Sequence, residues 1–196
     1  MSDSYEALIE PRATVDEAEA LAAEAVGVLS RAGLIVPVPS TECVLDGVGY
    51  PAGPRCPDAY TAEDSGELMG DRFWTLETSG VEIHTKPWVN VWGFPQLSSA
   101  VCPQCGHDRA EEFIEDIGGL VDDFLSTGVV PDVQCVSCHA PSSIHDWQCD
   151  PHLGFVKFAI VFWNWPPFAS EDWKVNVHAL LEEHLKRPLF STFGGM

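Results

Sequence analysis

The sequence predicts an α+β fold: a mixed, mainly antiparallel β-sheet packed with an N-terminal and a C-terminal helix, and a helical insertion between two strands. Three observations carry this. Residues 14–31 and 170–187 each join helix-starting chemistry to one apolar face. Residues 155–165 place apolar side chains on both sides, as a central strand covered on both faces does. Ahead of that run, two Cys-x-x-Cys pairs enclose a stretch of helical periodicity.

Taken in order, residues 1–13 read as a loose lead-in. Thr14-Val15-Asp16-Glu17 is a capping box: the Thr14 hydroxyl can accept from the Glu17 amide while Glu17 reaches back. The helix it starts runs to about Arg31. Val15, Ala18, Leu21, Ala22, Ala25, Val28 and Leu29 form its apolar stripe, and Gly33 suits the positive φ that ends it. Residues 34–38 read as a short strand that Pro37 confines to an edge, and residues 43–48 as a second strand. The Gly- and Pro-rich residues 47–54 read as a surface loop. No Gly-Lys-Ser/Thr accompanies their glycines, which argues against a phosphate loop.

Composition shifts near residue 72. Every Trp and Phe lies at or after Phe73, and every Tyr lies before it. The expected organisation is an N-terminal helix-plus-strand subdomain (1–72) and an aromatic-rich α+β domain (73–196), or one continuous domain. Residues 73–77 and 81–85, joined by Thr78-Ser79-Gly80, read as a hairpin. Residues 88–94 give a third strand, with Trp88, Trp92 and Phe94 sharing a face with Asn90. After the 155–165 strand, Pro166-Pro167 ends the run. Ser170 is placed to cap a helix with Glu171 and Asp172 in its first turn and Lys186 and Arg187 at its end, as the helix dipole favours. Trp173, Val177, Leu180, Leu181 and His184 mark its buried side. Pro188 stops it, and residues 189–193 return as a last short strand.

The specific chemistry lies in Cys102-Pro103-Gln104-Cys105-Gly106 and Cys135-Val136-Ser137-Cys138. A Cys-x-x-Cys turn can place two thiolates on one ion, and two facing turns complete a tetrahedron. Pro103 and Gly106 fit such a turn. The insert between the pairs must hold structure of its own. Asp108-Arg109-Ala110-Glu111 has the form of a helix N-cap. Phe113, Ile117, Leu120, Val121 and Phe124 follow at helical spacing, and Gly118-Gly119 forces a kink or two short helices.

The CPxCG turn with its second Cys-x-x-Cys resembles the zinc-ribbon or rubredoxin-like knuckles, over residues 102–138 only. The resemblance implies one structural Zn2+ held by Cys102, Cys105, Cys135 and Cys138. The acidic helix between the knuckles departs from a plain ribbon. Iron on four cysteines and a redox-active Cys-x-x-Cys remain alternatives. His107 and His139 lie near enough for a supporting role or for solvent. Cys43, Cys56 and Cys149 are left over and read as free thiols, with a Cys43–Cys56 disulfide as the alternative.

The formal charge is −20 over 196 residues. A field of that sign repels phosphate backbones and argues against direct nucleic-acid binding; it favours solubility or a basic protein partner. Residues 106–134 alone carry Asp108, Glu111, Glu112, Glu115, Asp116, Asp122, Asp123 and Asp132 against Arg109. The first seven of these acids are the expected partner-binding face. No run reaches the length of a signal peptide or a membrane span, and the cysteine usage fits a reducing cytoplasm.

Catalytic constellations are weak. His145-Asp146 lies beside Ser142 and Ser143, but neighbours on a strand point apart, which does not build a triad. His84 is expected to face solvent with Glu82. Of His178 and His184 on the last helix, one is expected exposed and the other at the core margin. The expected function is therefore protein–protein binding by a zinc-stabilised acidic protein, of immunity-protein, toxin-antagonist or adaptor type. The alternatives are a metal-dependent hydrolase or transferase with a second site at His145, Cys149 and His152, and a thiol oxidoreductase.

Overall fold

The computed structural model describes residues 3–61 and 72–195, and its elements follow one another as β1 (Ser4–Ile9), α1 (Val15–Arg31), β2 (Gly49–Pro51), α2 (Cys56–Ala59) and β3 (Gly80–His84). Next come β4 (Trp88–Val89), β5 (Ser99–Val101), α3 (Ala110–Gly118), α4 (Val121–Thr127), β6 (Asp132–Gln134) and β7 (Pro141–Ser143). The chain ends with β8 (Gln148–Asp150), β9 (Phe155–Val156), β10 (Ala159–Trp163), α5 (Val177–Leu185) and β11 (Phe190–Gly195). Short 3-10 helices cover Phe73–Thr75, Val91–Gln96 and Ile144–Asp146.

The main sheet has the order β11-β1-β10-β3-β2, and every neighbouring pair is antiparallel. The expected α+β class is what the structure has. Because side chains alternate along each strand, the sheet has two different faces. Leu8, Val81, Ile160 and Phe162 point to one, where α1 and α5 cover them with Ala18, Ala25, Leu29, Val177 and Leu181. Fully buried Leu8, Phe158 and Phe162 each contribute roughly 1.5–3 kcal/mol by leaving water. Tyr5, Ala7, Ile9, Val161 and Trp163 point the other way, into a smaller cluster closed by Cys43, Val44 and Val156.

β3 and β10 are neighbours in the sheet, yet 74 residues separate His84 from Ala159 in the chain. That excursion builds three two-stranded pieces, β4-β9, β5-β8 and β6-β7, around a third cluster. Phe94, Ala100, Cys102, Phe113, Ile117, Phe124, Cys135, Trp147 and Phe155 form it.

Several elements match their sequence signals. Both hydrogen bonds of the Thr14/Glu17 capping box are present, and Gly33 follows α1 with φ +73°. The insert splits at Gly118-Gly119 into α3 and α4. Other expectations are corrected. The lead-in contains β1, an inner strand of the main sheet whose Glu6 is buried rather than solvated. Residues 34–38 make only a bridge, Ile35 to Ala52, and no strand forms at 43–48; β2 lies instead in the expected surface loop, at Gly49–Pro51.

The 73–77/81–85 hairpin does not form. Phe73–Thr75 is a 3-10 turn, and β3 pairs with β10 and β2 instead. The 88–94 strand stops at Val89, because the Asn90 side chain accepts from the Gly93 N–H and starts a 3-10 helix. The 155–165 run divides into β9, paired with β4, and β10, which does sit centrally. The Ser170 hydroxyl makes only local bonds, accepting from the Asp172 N–H and donating to the Asp172 carboxylate, and α5 begins at Val177, capped by Asn176. His184 is exposed, not on the buried side.

The expected boundary near residue 72 adjoins residues 62–71, which lie outside the described residues; the sheet itself takes β1 and β2 from before them and β3, β10 and β11 from after. Among the described residues, no helix is long and apolar enough to cross a membrane.

Candidate metal centre

Each Cys-x-x-Cys pair sits on a turn at the end of a strand. β5, paired with β8 so that Ala100 faces Cys149, delivers the chain to Cys102. The turn closes through Gly106 N–H to Cys102 O at 3.0 Å and Cys102 N–H to His107 O at 2.9 Å. Gly106 holds φ +75°, a conformation glycine adopts without steric cost. The second turn joins β6 to β7. Here His139 N–H donates to Cys135 O at 2.8 Å and Cys135 N–H to Ala140 O at 3.0 Å. His139 occupies the place of Gly106, with φ +59°.

These turns bring all four sulfurs within 4.8 Å of one another. Cys102 Sγ lies 3.9 Å from Cys138 Sγ, and Cys105 Sγ lies 3.7 Å from Cys135 Sγ, so each close pair joins the two turns. A tetrahedral ion bound by thiolates at about 2.3 Å sets its sulfurs roughly 3.8 Å apart. The cluster therefore has the size of a four-thiolate site for one metal ion, and all four cysteines are free thiols. Cys102 and Cys135 are buried; Cys105 and Cys138 reach the surface.

The thiols are electrostatically unequal. The Cys138 N–H, followed by that of Ser137 and by the Cys102 and Cys105 thiols, brings Cys135 down to about 6 against the opposing effect of burial. At Cys105 the His107 N–H favours the thiolate, but burial and the three neighbouring thiols outweigh it and raise the group to about 11. A cation among the four would hold all of them ionised.

Asp108 does not cap α3, as its sequence position suggests. Its carboxylate accepts from Ala100 N–H and Ser99 Oγ, both at 2.8 Å, and the first of these bonds chiefly lowers its pKa. It thereby fastens the first turn to β5. Arg109 takes the cap position without a side-chain bond. Its side chain is 1% exposed, ion-paired with Asp116, with its guanidinium 5.7 Å from the Phe113 ring centre and 5.9 Å from that of Trp147. In the sequence the signal for Arg109 is that it is the lone cation of an acidic insert. Glu111, Glu112, Glu115, Asp122 and Asp123 are exposed on α3 and α4, while Phe113, Ile117 and Phe124 face inward.

The histidines near the turns do not join the sulfurs: among the described residues, the four cysteines are the group whose ligand atoms cluster. His107 and His139 are exposed. His145, Cys149 and His152 do line one cavity of about 380 Å³, together with Glu10, Arg12 and Phe190. They make no ligand cluster there. His145 Nε2–H donates to Phe155 O at 2.6 Å, and burial lowers its pKa. His152 packs against the Phe190 ring, and burial lowers its pKa too. Burial, with the Asp108 charge, pushes the Cys149 thiol to about 12, far from a reactive thiolate.

Cys43 and Cys56 are both free, each raised by burial, Cys56 to about 11. His84, expected in solvent, is half-buried and stacked on Trp88. No protein-family model matches the chain, and no curated protein or solved structure matches it.

Proposed function

We propose that the chain is a zinc-stabilised protein that acts by binding another protein, with the metal in a structural role. The observation that carries this is the four-sulfur cluster. A donor set of four thiolates suits Zn2+ better than harder cations, and it fills every position of a tetrahedral ion, leaving none for substrate.

The working surface in this reading is the acidic side of α3 and α4. Glu111, Glu112, Glu115, Asp122 and Asp123 are exposed there, on helices whose apolar side belongs to the same cluster as Cys102 and Cys135. A bound metal would hold that surface in shape, and a basic partner would complement it. An immunity protein, toxin antagonist or adaptor works in this way. Residence in a reducing compartment such as the cytoplasm would keep the thiols available to metal. A hydrolase centred on His145, Cys149 and His152 is the second reading, favoured by their shared cavity and disfavoured by the un-ionised Cys149.

Metal analysis of purified protein should give one zinc per chain. Capture from lysate at low and moderate salt should recover a specific basic partner. Reversing Glu111, Glu112, Glu115, Asp122 and Asp123 to lysine should release it. A chain without zinc, no specific partner, or a partner indifferent to the reversals would each refute the reading.

A further inference from the structure

The side of the main sheet turned away from α1 and α5 is incompletely covered, and a cavity of about 200 Å³ opens there. Its floor comes from three adjacent strands. Tyr5 on β1 and Trp163 on β10 are directly paired across the ladder, and Glu82 on β3 pairs with Val161. Trp88 and Trp92 form the wall and rim, and the loop carrying Asp46 closes another side. The Tyr5 ring centre lies 4.8 Å from that of Trp163 and 6.5 Å from that of Trp88, both at 64°, so the three rings meet edge to face beside the cavity, with His84 stacked on Trp88.

A carboxylate sits inside this aromatic enclosure. The Glu82 side chain is only 15% exposed. It accepts from Trp163 Nε1–H at 3.2 Å and lies 3.4 Å from His84 Nε2, a group charged only when protonated. Among the described residues lining the cavity there is no Lys or Arg. Gly47, at φ +115°, lets the loop pass close over the carboxylate; a Cβ there would come within 3.3 Å of Glu82 Oε1. The lining of the cavity gives this half-buried carboxylate no permanent counter-charge. A Trp left 49% exposed beside it is equally unexplained by the fold.

We propose that this cavity binds a methylated ammonium group. Ring faces attract a diffuse positive charge, and Glu82 and Asp46 add a negative field at the same place. A quaternary ammonium has no N–H groups to satisfy, which matches walls made of rings and aliphatic side chains. A primary ammonium would need three acceptors. A divalent metal is excluded by the ligand set, since no cluster of ligand atoms forms here among the described residues. The small volume fits a headgroup and not a drug-sized molecule. The group could arrive as a free choline-like molecule or on a trimethylated lysine side chain.

The test titrates intact protein with choline while following its N-methyl proton resonance, which ring currents should shift upfield on entry. Saturable binding is expected below about 10 mM. The uncharged isostere 3,3-dimethylbutan-1-ol should bind at least about tenfold more weakly. Glu82→Gln and the rim substitution Trp92→Ala should each weaken choline about tenfold, with the far-ultraviolet spectrum unchanged. A trimethyllysine peptide is compared with its unmethylated counterpart. Tenfold preference over choline would assign the group to a protein, and equal or weaker binding to a small molecule. No saturable shift from any methylated probe, or equal binding of the neutral isostere, would overturn the proposal even if either substitution unfolded the protein.

Discussion

Asn90 Nδ2 donates to Thr192 Oγ1 at 2.6 Å, across 102 residues of sequence. The same amide donates to Phe193 O at 2.9 Å, and its oxygen accepts from Gly93 N–H and the Tyr5 hydroxyl. One side chain thus ties the segment leading to the first cysteine turn to β1 and β11, and it is buried. Asn90→Ala takes away the acceptor of the Tyr5 hydroxyl and the donor to Thr192 Oγ1 and Phe193 O, while Gly93 N–H keeps its 3.2 Å bond to the carbonyl of residue 90, and should cost about 2–4 kcal/mol. Urea unfolding should show a lower midpoint at unchanged m. An unchanged midpoint would mean that these bonds are replaced by water.

Metal removal should loosen one part of the molecule and spare another. The effect should reach beyond residues 102–138, because Cys102 and Cys135 share a cluster with Phe94, Trp147 and Phe155, while the cluster under α1 and α5 contains neither. Chelation should lower hydrogen-exchange protection across β5, β6, β7 and β8 and leave β1 and β10 protected. Serine at Cys102, Cys105, Cys135 or Cys138 should weaken metal binding by more than about 100-fold, beyond the loss typical of outer-shell changes. Serine at Cys43 or Cys56 should leave it intact. Global unfolding on chelation would contradict this division.

What was legible followed from local chemistry. The capping box of Thr14 and Glu17, the break at Gly118-Gly119 and the paired cysteine turns all act over a few residues. What was hidden depended on distant partners. β1 carries Glu6 in its middle, which looks like a solvent residue until Phe168 N–H and Ser191 Oγ arrive to bond it. Ser170 and Asn176 both have cap chemistry, and Ser170 forms a local turn instead. The aromatic cavity draws on Tyr5, Glu82 and Trp163, which strand order makes neighbours, and on Trp92 from the 3-10 helix after β4.

Glu6 gives a pH signature with a definite sign. Burial raises its pKa above the ordinary 4.5, against the bonds from Phe168 and Ser191 and the influence of His178. The folded chain therefore holds this proton more tightly than the unfolded one. Its contribution to stability is fully present below about 4.5 and is lost as pH rises through the elevated folded value. Glu6→Gln removes that titration. The stability difference between variant and parent should move in the variant's favour with rising pH across this window. Urea curves at several pH values measure it, and parallel profiles would show that Glu6 does not titrate there.

His139→Gly separates a strained turn residue from a metal ligand. The backbone at His139 matches that at Gly106, fourth after the first cysteine of each pair, and a left-handed conformation costs a non-glycine residue roughly 1 kcal/mol. Glycine relieves this but gives the unfolded chain more freedom, so the net gain should be about 0–1 kcal/mol. The backbone bonds from His139 N–H to Cys135 O and from Gln134 Nε2 to His139 O survive the change. With four sulfurs alone as ligands, metal affinity should stay within about threefold, against the 10–100-fold losses seen when a supporting side chain matters. A competition titration with a chromophoric chelator measures this. A loss of 100-fold or more would move the imidazole into the metal's coordination shell and displace one of the exposed thiols, Cys105 or Cys138, from it.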